Sequence, residues 1–254
     1  MSTGKTVFRS EQQREAPFQM ILTPSQRISI QREHAALEKS EYRDGFEYPW
    51  NGLDNYLAEG KTLLIAGYGS LMNRTSAART FAMDSVRQMS PVVVFHARRV
   101  YDKIMSPAAR KSYPTIYPET HCGVLNAYVT GNPEDCFNAV LLPLKAAELD
   151  RFRSRESGYD LLPVVTVEWD AIRKRRHCEP KHAFVLSCRT PVRFGQRQTH
   201  PQLQPHPLYH EICLRGARDI SDDFLEMFHR TTQIVAPAVK SESDLHSELP
   251  KIIA

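Results

Sequence analysis

The sequence predicts one folded domain in which short β-strands are interspersed with short α-helices, framed by polar segments at both ends. Three observations support this. Hydrophobic residues make up 41 % and charged residues 24 % of the 254-residue chain, close to the globular average, so a sizeable core can form once the polar ends are set aside. Apolar and β-branched runs of strand length recur at 63–66, 91–95, 123–129, 139–142, 163–169 and 182–188. Between them lie helical stretches, clearest at 145–155, where Ala146, Leu149 and Phe152 recur at spacings of three.

The same composition restricts function. A net charge of +4 from 33 basic and 29 acidic residues requires neither nucleic acid nor an anionic membrane as partner. Five scattered cysteines, Cys122, Cys136, Cys178, Cys188 and Cys213, fit reduced thiols and a reducing compartment better than a disulfide framework. Neither an apolar signal core after Met1 nor a run approaching the ~18 apolar residues of a membrane span is visible, so the expectation is a soluble, cytoplasmic protein.

Taken in order, residues 1–48 are rich in Gln, Arg, Glu and Ser, and their helical candidate, between Ser25 and Tyr42, has a thin apolar face of Ile28, Ile30, Ala35 and Leu37. Residues 1–58 are therefore expected to be a polar extension, disordered in part or packed as a lid, with disorder favoured and Tyr48-Pro49-Trp50 as an aromatic anchor. The domain proper is expected over 59–235. It opens with the 63–66 strand, which breaks into Gly67-Tyr68-Gly69-Ser70-Leu71, a turn whose N-H groups can converge on an anion or a carbonyl oxygen. Simple strand-ending turns share this spacing.

A short helix is expected at 73–83, and the 91–95 strand continues into Arg98, Arg99 and Tyr101. Both arginines read as surface residues, although one turns inward if the strand continues. Three prolines and scattered basic residues make 102–120 a surface loop, long enough to be an insertion near a site. The strands at 123–129 and 139–142 are separated by a Gly131-Asn132-Pro133 turn, and the 145–155 helix stops at Gly158. The basic run Arg173 to Arg176 reads as a solvated hairpin end, since no aromatic platform interleaves it. Residues 196–210 read as loop. Ser221 caps a last helix that carries Asp222 and Asp223 in its first turn and buries Phe224, Leu225 and Phe228, and residues 236–254 form a polar tail.

Several chemistries are excluded by spacing. A dinucleotide loop needs a third glycine where Met72 stands, and a Walker A loop needs Gly-Lys-Ser/Thr where Ser70-Leu71-Met72 stands. Ser70 lacks the flanking glycines of a nucleophile elbow. His177, Cys178, His182 and Cys188 do not match zinc-knuckle spacing, and adjacent His121 and Cys122 point to opposite faces if both lie in a strand. Glu156 is different. It sits at a helix C-terminus, where the dipole opposes negative charge and raises the pKa towards neutrality, unless Arg153 and Arg155 balance it as a solvated glutamate.

With the Gly67 to Leu71 turn and the downstream Leu149-Asp150-Arg151-Phe152-Arg153-Ser154-Arg155-Glu156-Ser157-Gly158-Tyr159 segment in hand, the chain resembles the γ-glutamylcyclotransferase-like superfamily over about residues 60–232. Those proteins pair a strand-ending Tyr-Gly-Ser loop with a later helix that ends in Glu-x-x-Tyr. Gly123-Val124-Leu125 and the Tyr209 to Ala217 segment resemble further landmarks. The resemblance implies a mixed α/β (α+β) fold, with a small curved or barrel-like mixed sheet and helices around it. It also implies that Tyr68, Gly69, Ser70 and Leu71, with Tyr159 and Tyr209, bind a small γ-glutamyl substrate, and that Glu156 is the catalytic acid/base. No metal or other cofactor is implied. The products would be 5-oxoproline and an amine or amino acid.

Met72-Asn73-Arg74 lacks the tryptophan frequent in the glutathione-specific branch, and residues 1–58 and 102–120 have no recognised counterpart. The leaving group and oligomeric state are therefore left open. Two alternatives stand beside the enzyme: a non-catalytic γ-glutamyl-binding or protein-interaction module on the same fold, and a hydrolase or transferase acting on a protein-linked γ-glutamyl group.

Overall fold

The computed structural model describes residues 21–113, 117–193 and 195–235; the expected tail at 236–254 lies outside them, as does the start of the expected extension. The first element is helix α1 (Pro24–Leu37). Thr23 and Gln26 cap it reciprocally, the Gln26 amide donating to Thr23 Oγ1 and the Thr23 amide to Gln26 Oε1. Ile30 and Leu37 join the core while Ile28 stays exposed. Gln26, also buried, donates to the Ala171 and Arg176 carbonyls at 3.1 and 2.8 Å. Phe46 then bridges to Leu161, and Trp50 is fully buried against Phe152, with its indole N-H on the Tyr159 carbonyl at 2.8 Å. Helix α2 (Leu53–Ala58) buries Leu53 and Leu57. Residues 24–58 thus contribute Ile30, Leu37, Trp50, Leu53 and Leu57 to the core.

Five strands close a barrel in the order β1-β5-β2-β6-β7: β1 (Leu63–Gly67), β2 (Ser90–Phe95), β5 (Cys136–Leu144), β6 (Asp160–Glu168) and β7 (Lys181–Ser187). Neighbours are antiparallel except β1 and β7, which pair in parallel at Ile65 and Phe184. Ile65, Val93, Phe137, Leu161 and Val185 are fully buried. β3 (Ala97–Ile104) and β4 (Gly123–Val129) leave the barrel after His96, whose φ of 60° turns the chain, and form a second sheet with β10 (Thr232–Gln233). A small hairpin, β8 (Val192–Arg193) with β9 (Gln196–Arg197), is separate. The expected mixed α/β barrel-like fold is therefore present.

The helices lie around the sheets. The expected 73–83 helix is broken into α3 (Arg74–Ala77) and α4 (Met83–Arg87). β3 extends to Ile104, so Asp102 and Lys103 are buried strand residues, and the supposed loop also carries α5 (Pro107–Lys111). α6 (Leu149–Arg155) ends as expected before Gly158, which has φ 83°. α7 (Trp169–Arg173) leads into the exposed basic turn. Residues 196–206 are mostly irregular, but α8 (Pro207–Arg218) replaces the end of the expected loop, with Pro207 in the first turn and His206 as its cap. α9 (Asp222–Thr231) begins at Ser221, whose Oγ accepts the Phe224 amide at 3.1 Å.

Arg98 is exposed, but Arg99 is not the surface residue expected: it is fully buried and donates to the Tyr68, Asn138 and Phe228 carbonyls, among other acceptors. All five cysteines are buried, and none is in a disulfide. Among the described residues no helix is long and apolar enough to cross a membrane, and no cluster of three His, Cys, Asp or Glu side chains is placed to hold a metal ion.

Candidate active site

Topology brings distant segments to one mouth of the barrel. Because β1 and β7 are parallel, their C-terminal ends lie together, and because β6 pairs antiparallel with β7, with Asp160 opposite Ser187, its first residue lies there too. The turn leaving β1 and the turn entering β6 therefore meet. Tyr68, Gly69, Ser70, Leu71, Glu156, Tyr159 and Tyr209 line one recess of about 20 Å³, completed by Leu125 and Leu186. Ser70, Glu156, Tyr159 and Tyr209 also line an outer cleft of about 620 Å³, to which residues 103–113 contribute a wall. None of α1 lines either space.

Each side chain is held from several directions. The Tyr68 ring packs edge-on against Phe137, its hydroxyl donates to the Leu186 carbonyl, and its own carbonyl accepts from Arg99 at 3.2 Å. Gly69 is required by contact: a Cβ there would collide with the Tyr209 hydroxyl. Residues 70–72 form one 3₁₀ turn, whose leading N-H groups lack intrahelical partners. Tyr159 donates to the Leu125 carbonyl at 2.8 Å. Burial raises the pKa of Tyr68, Tyr159 and Tyr209 well above that of an ordinary phenol, so all three remain neutral donors.

Glu156 closes α6 with its side chain 12 % exposed. Burial pushes its carboxyl above the ordinary glutamate pKa, while the Arg155 guanidinium, 3.0 Å away, and the Lys103 ammonium pull it back only in part. The rise expected from sequence is present, but desolvation rather than the helix end is its main cause. Nor is Glu156 balanced by Arg153, which pairs with Asp54 and Asp150.

Sequence reasoning gave two residues less of a part than they have: Arg155, read only as a charge that could balance Glu156, and Lys103. Arg155 is held by the Ser76 carbonyl at 2.6 Å, Thr80 Oγ1 at 3.1 Å, Ser76 Oγ at 3.0 Å and Ser70 Oγ at 2.9 Å. It therefore ties the Glu156 carboxylate to the glycine turn. Its place beside Glu156 was visible in the sequence, but its contacts to Ser70, Ser76 and Thr80 were not. Lys103, buried in β3, was hidden by the expectation of a surface loop.

The fold and the site together define a mixed α/β barrel whose mouth pairs a glycine turn with a nearly buried carboxylate. No protein-family model matches the sequence, and no curated protein matches it. Among solved structures the chain is similar to YkqA from Bacillus subtilis, with a TM-score of 0.45 and 15 % identity, covering 70 % of this chain and 57 % of that one. The chain thus spans a little over half of YkqA's length. It is also similar to a gamma-glutamyl cyclotransferase (TM-score 0.44, 12 % identity, 75 % of this chain and 99 % of that one). A glutathione-specific gamma-glutamyl cyclotransferase from yeast gives a TM-score of 0.39 at 12 % identity, covering 76 % and 97 %.

Proposed function

We propose that the protein cyclises a small γ-glutamyl compound to 5-oxoproline with release of an amine or amino acid. The observation that carries this reading is the convergence of a nearly buried carboxylate of raised pKa, Glu156, on the same recess as the Tyr68 to Leu71 turn. A γ-glutamyl group contains its own nucleophile, the α-amine, so a protein need only hold the folded conformer and move a proton. Glu156 takes a proton from the α-ammonium as the nitrogen attacks the γ-carbonyl. It returns that proton to the departing nitrogen as the C-N bond breaks, and the second proton that the α-nitrogen loses on becoming the lactam N-H leaves to water or to the released amine.

The remaining parts suit these steps. The N-H groups leading the 3₁₀ turn stabilise the oxyanion that develops on the carbonyl oxygen. At about 20 Å³ the recess holds little more than one oxygen-sized group, so the body of the substrate occupies the outer cleft, whose 620 Å³ is within the usual range for small-molecule sites. Arg155 favours the ionised form of Glu156 that starts as the base, and burial, by raising the pKa, favours its taking up a proton.

A panel of γ-glutamyl amino acids, γ-glutamyl amines and glutathione, assayed for 5-oxoproline, tests the proposal. Release from at least one of them is expected. Binding without release would favour the non-catalytic module, and reaction only with a γ-glutamylated protein would favour the hydrolase or transferase.

A further inference from the structure

Lys103 carries a buried charge that no carboxylate of the site pairs with directly. It is 5 % exposed and lines the outer cleft, yet among the described residues no carboxylate lies within ion-pair distance of its ammonium. One hydrogen bond holds it, to Gln198 Oε1 at 3.1 Å, and the ammonium lies 4.8 Å from the centre of the Tyr159 ring. An ammonium has three donors, so a buried one with a single acceptor retains binding capacity. Its place is defined by Gly158: a Cβ built there would stand 3.7 Å from Lys103 Nζ and 3.1 Å from Gln198 Oε1. The ammonium is thus beside the turn that follows Glu156, on the cleft side of the recess.

From this geometry we propose that Lys103 binds a carboxylate on the leaving group, making it a residue that selects γ-glutamyl amino acids or peptides over γ-glutamyl derivatives of neutral amines. The inference rests on the cyclising function proposed above. If the γ-glutamyl group is held at the recess by the glycine turn and Glu156, the leaving group extends into the outer cleft, where Lys103 stands. The surroundings favour an anion. Arg79 and Arg151 line the same cleft, and of its two carboxylates Glu156 is paired with Arg155 and Asp150 with Arg153. Burial lowers the Lys103 pKa, as desolvation of a cation without a close counter-charge should. A bound carboxylate would supply that counter-charge.

The test compares γ-glutamyl-alanine with γ-glutamyl-alaninamide, which differ only in whether the leaving group carries a carboxylate. Wild type should favour the acid by about tenfold or more in KM, the usual scale of a charge-assisted hydrogen bond. Lys103→Met should raise KM for the acid by about tenfold more than for the amide, while any change in kcat that follows from losing its pull on the Glu156 pKa should be shared by both substrates. Equal KM values in wild type, or equal losses on both substrates in the variant, would overturn the assignment. The wild-type comparison stands alone if Lys103→Met does not fold, and Lys103→Gln is a second variant read in the same way. If neither compound is cyclised but both bind, calorimetric Kd values replace KM. No 5-oxoproline from any member of the panel above would reject the parent function, and this inference with it; turnover or binding of the two alanine compounds without discrimination would reject the Lys103 role alone.

Discussion

Alanine at Gly216 should disturb the site without adding an atom to its lining. Gly216 lies in α8, and a Cβ there would stand 2.6 Å from the Asn73 amide nitrogen and 2.7 Å from the Met72 carbonyl carbon. Both are backbone atoms at the end of the 3₁₀ turn that closes the glycine loop, so no side-chain rotation relieves the clash. To reach ordinary contact at 3.4 Å the helix must recede by about 0.8 Å, and overpacking of this kind costs about 1–3 kcal/mol. The better helix propensity of alanine offsets about 1 kcal/mol, leaving a net loss on the order of 1 kcal/mol, or a fall in Tm of roughly 2–4 °C for a chain of this size. The larger effect should be on turnover. α8 also carries Tyr209, whose hydroxyl lies against Gly69, and a misplacement near 1 Å lowers rates by about 10²-fold. Thermal unfolding and 5-oxoproline release measure the two effects. A variant that melts at or above wild type with undiminished turnover would refute the reasoning, because α8 would then be free to shift without consequence.

Arg155→Met removes the cation that holds the Glu156 pKa below the value burial alone would set, so the acidic limb of kcat/KM should move to higher pH; an unmoved limb would remove Arg155 from the site. Because the folded pKa of Glu156 is raised, the stability linked to this group is fully present below its unfolded pKa and lost as pH rises through the folded one. Glu156→Gln should therefore melt no lower than wild type at neutral pH, with any gain disappearing in acid; a clear fall in neutral Tm would contradict this. Native alkylation should leave turnover intact, since all five thiols are buried and burial pushes Cys136 and Cys213 up to about 12. Stoichiometric inactivation prevented by substrate would overturn that expectation.

What could be read from sequence was mostly local. Ser221 as a cap, Gly158 after α6 and the apolar runs of β2, β4 and β7 follow from side-chain oxygens, backbone freedom and β-branching, all visible within a few residues. The Tyr68 to Leu71 turn and Glu156 stood out from glycine spacing and a helix end, their roles and those of Tyr159 and Tyr209 came through a resemblance, and the barrel's register brings all of them around one recess. Hidden features depend on long-range partners. α1 buries Gln26 because carbonyls of Ala171 and Arg176 accept its amide, so its periodicity looked too weak for packing. Arg99 is buried because the turn after β1, β5 and α9 supply acceptors around its guanidinium. α8 was obscured by Gln, His and Pro, although Pro207 occupies a first-turn position where proline is tolerated.

The most direct measurement is the rate of 5-oxoproline release by Glu156→Gln. Glutamine keeps the size of the side chain and an acceptor for Arg155 but cannot take up and return a proton. The variant should therefore stay folded and bind a γ-glutamyl substrate while turnover falls by about 10²-fold or more, the scale of a positioned acid/base. Cyclisation by Glu156→Gln at a rate near that of wild type would contradict the proposed mechanism and leave Glu156 as a nearly buried partner of Arg155.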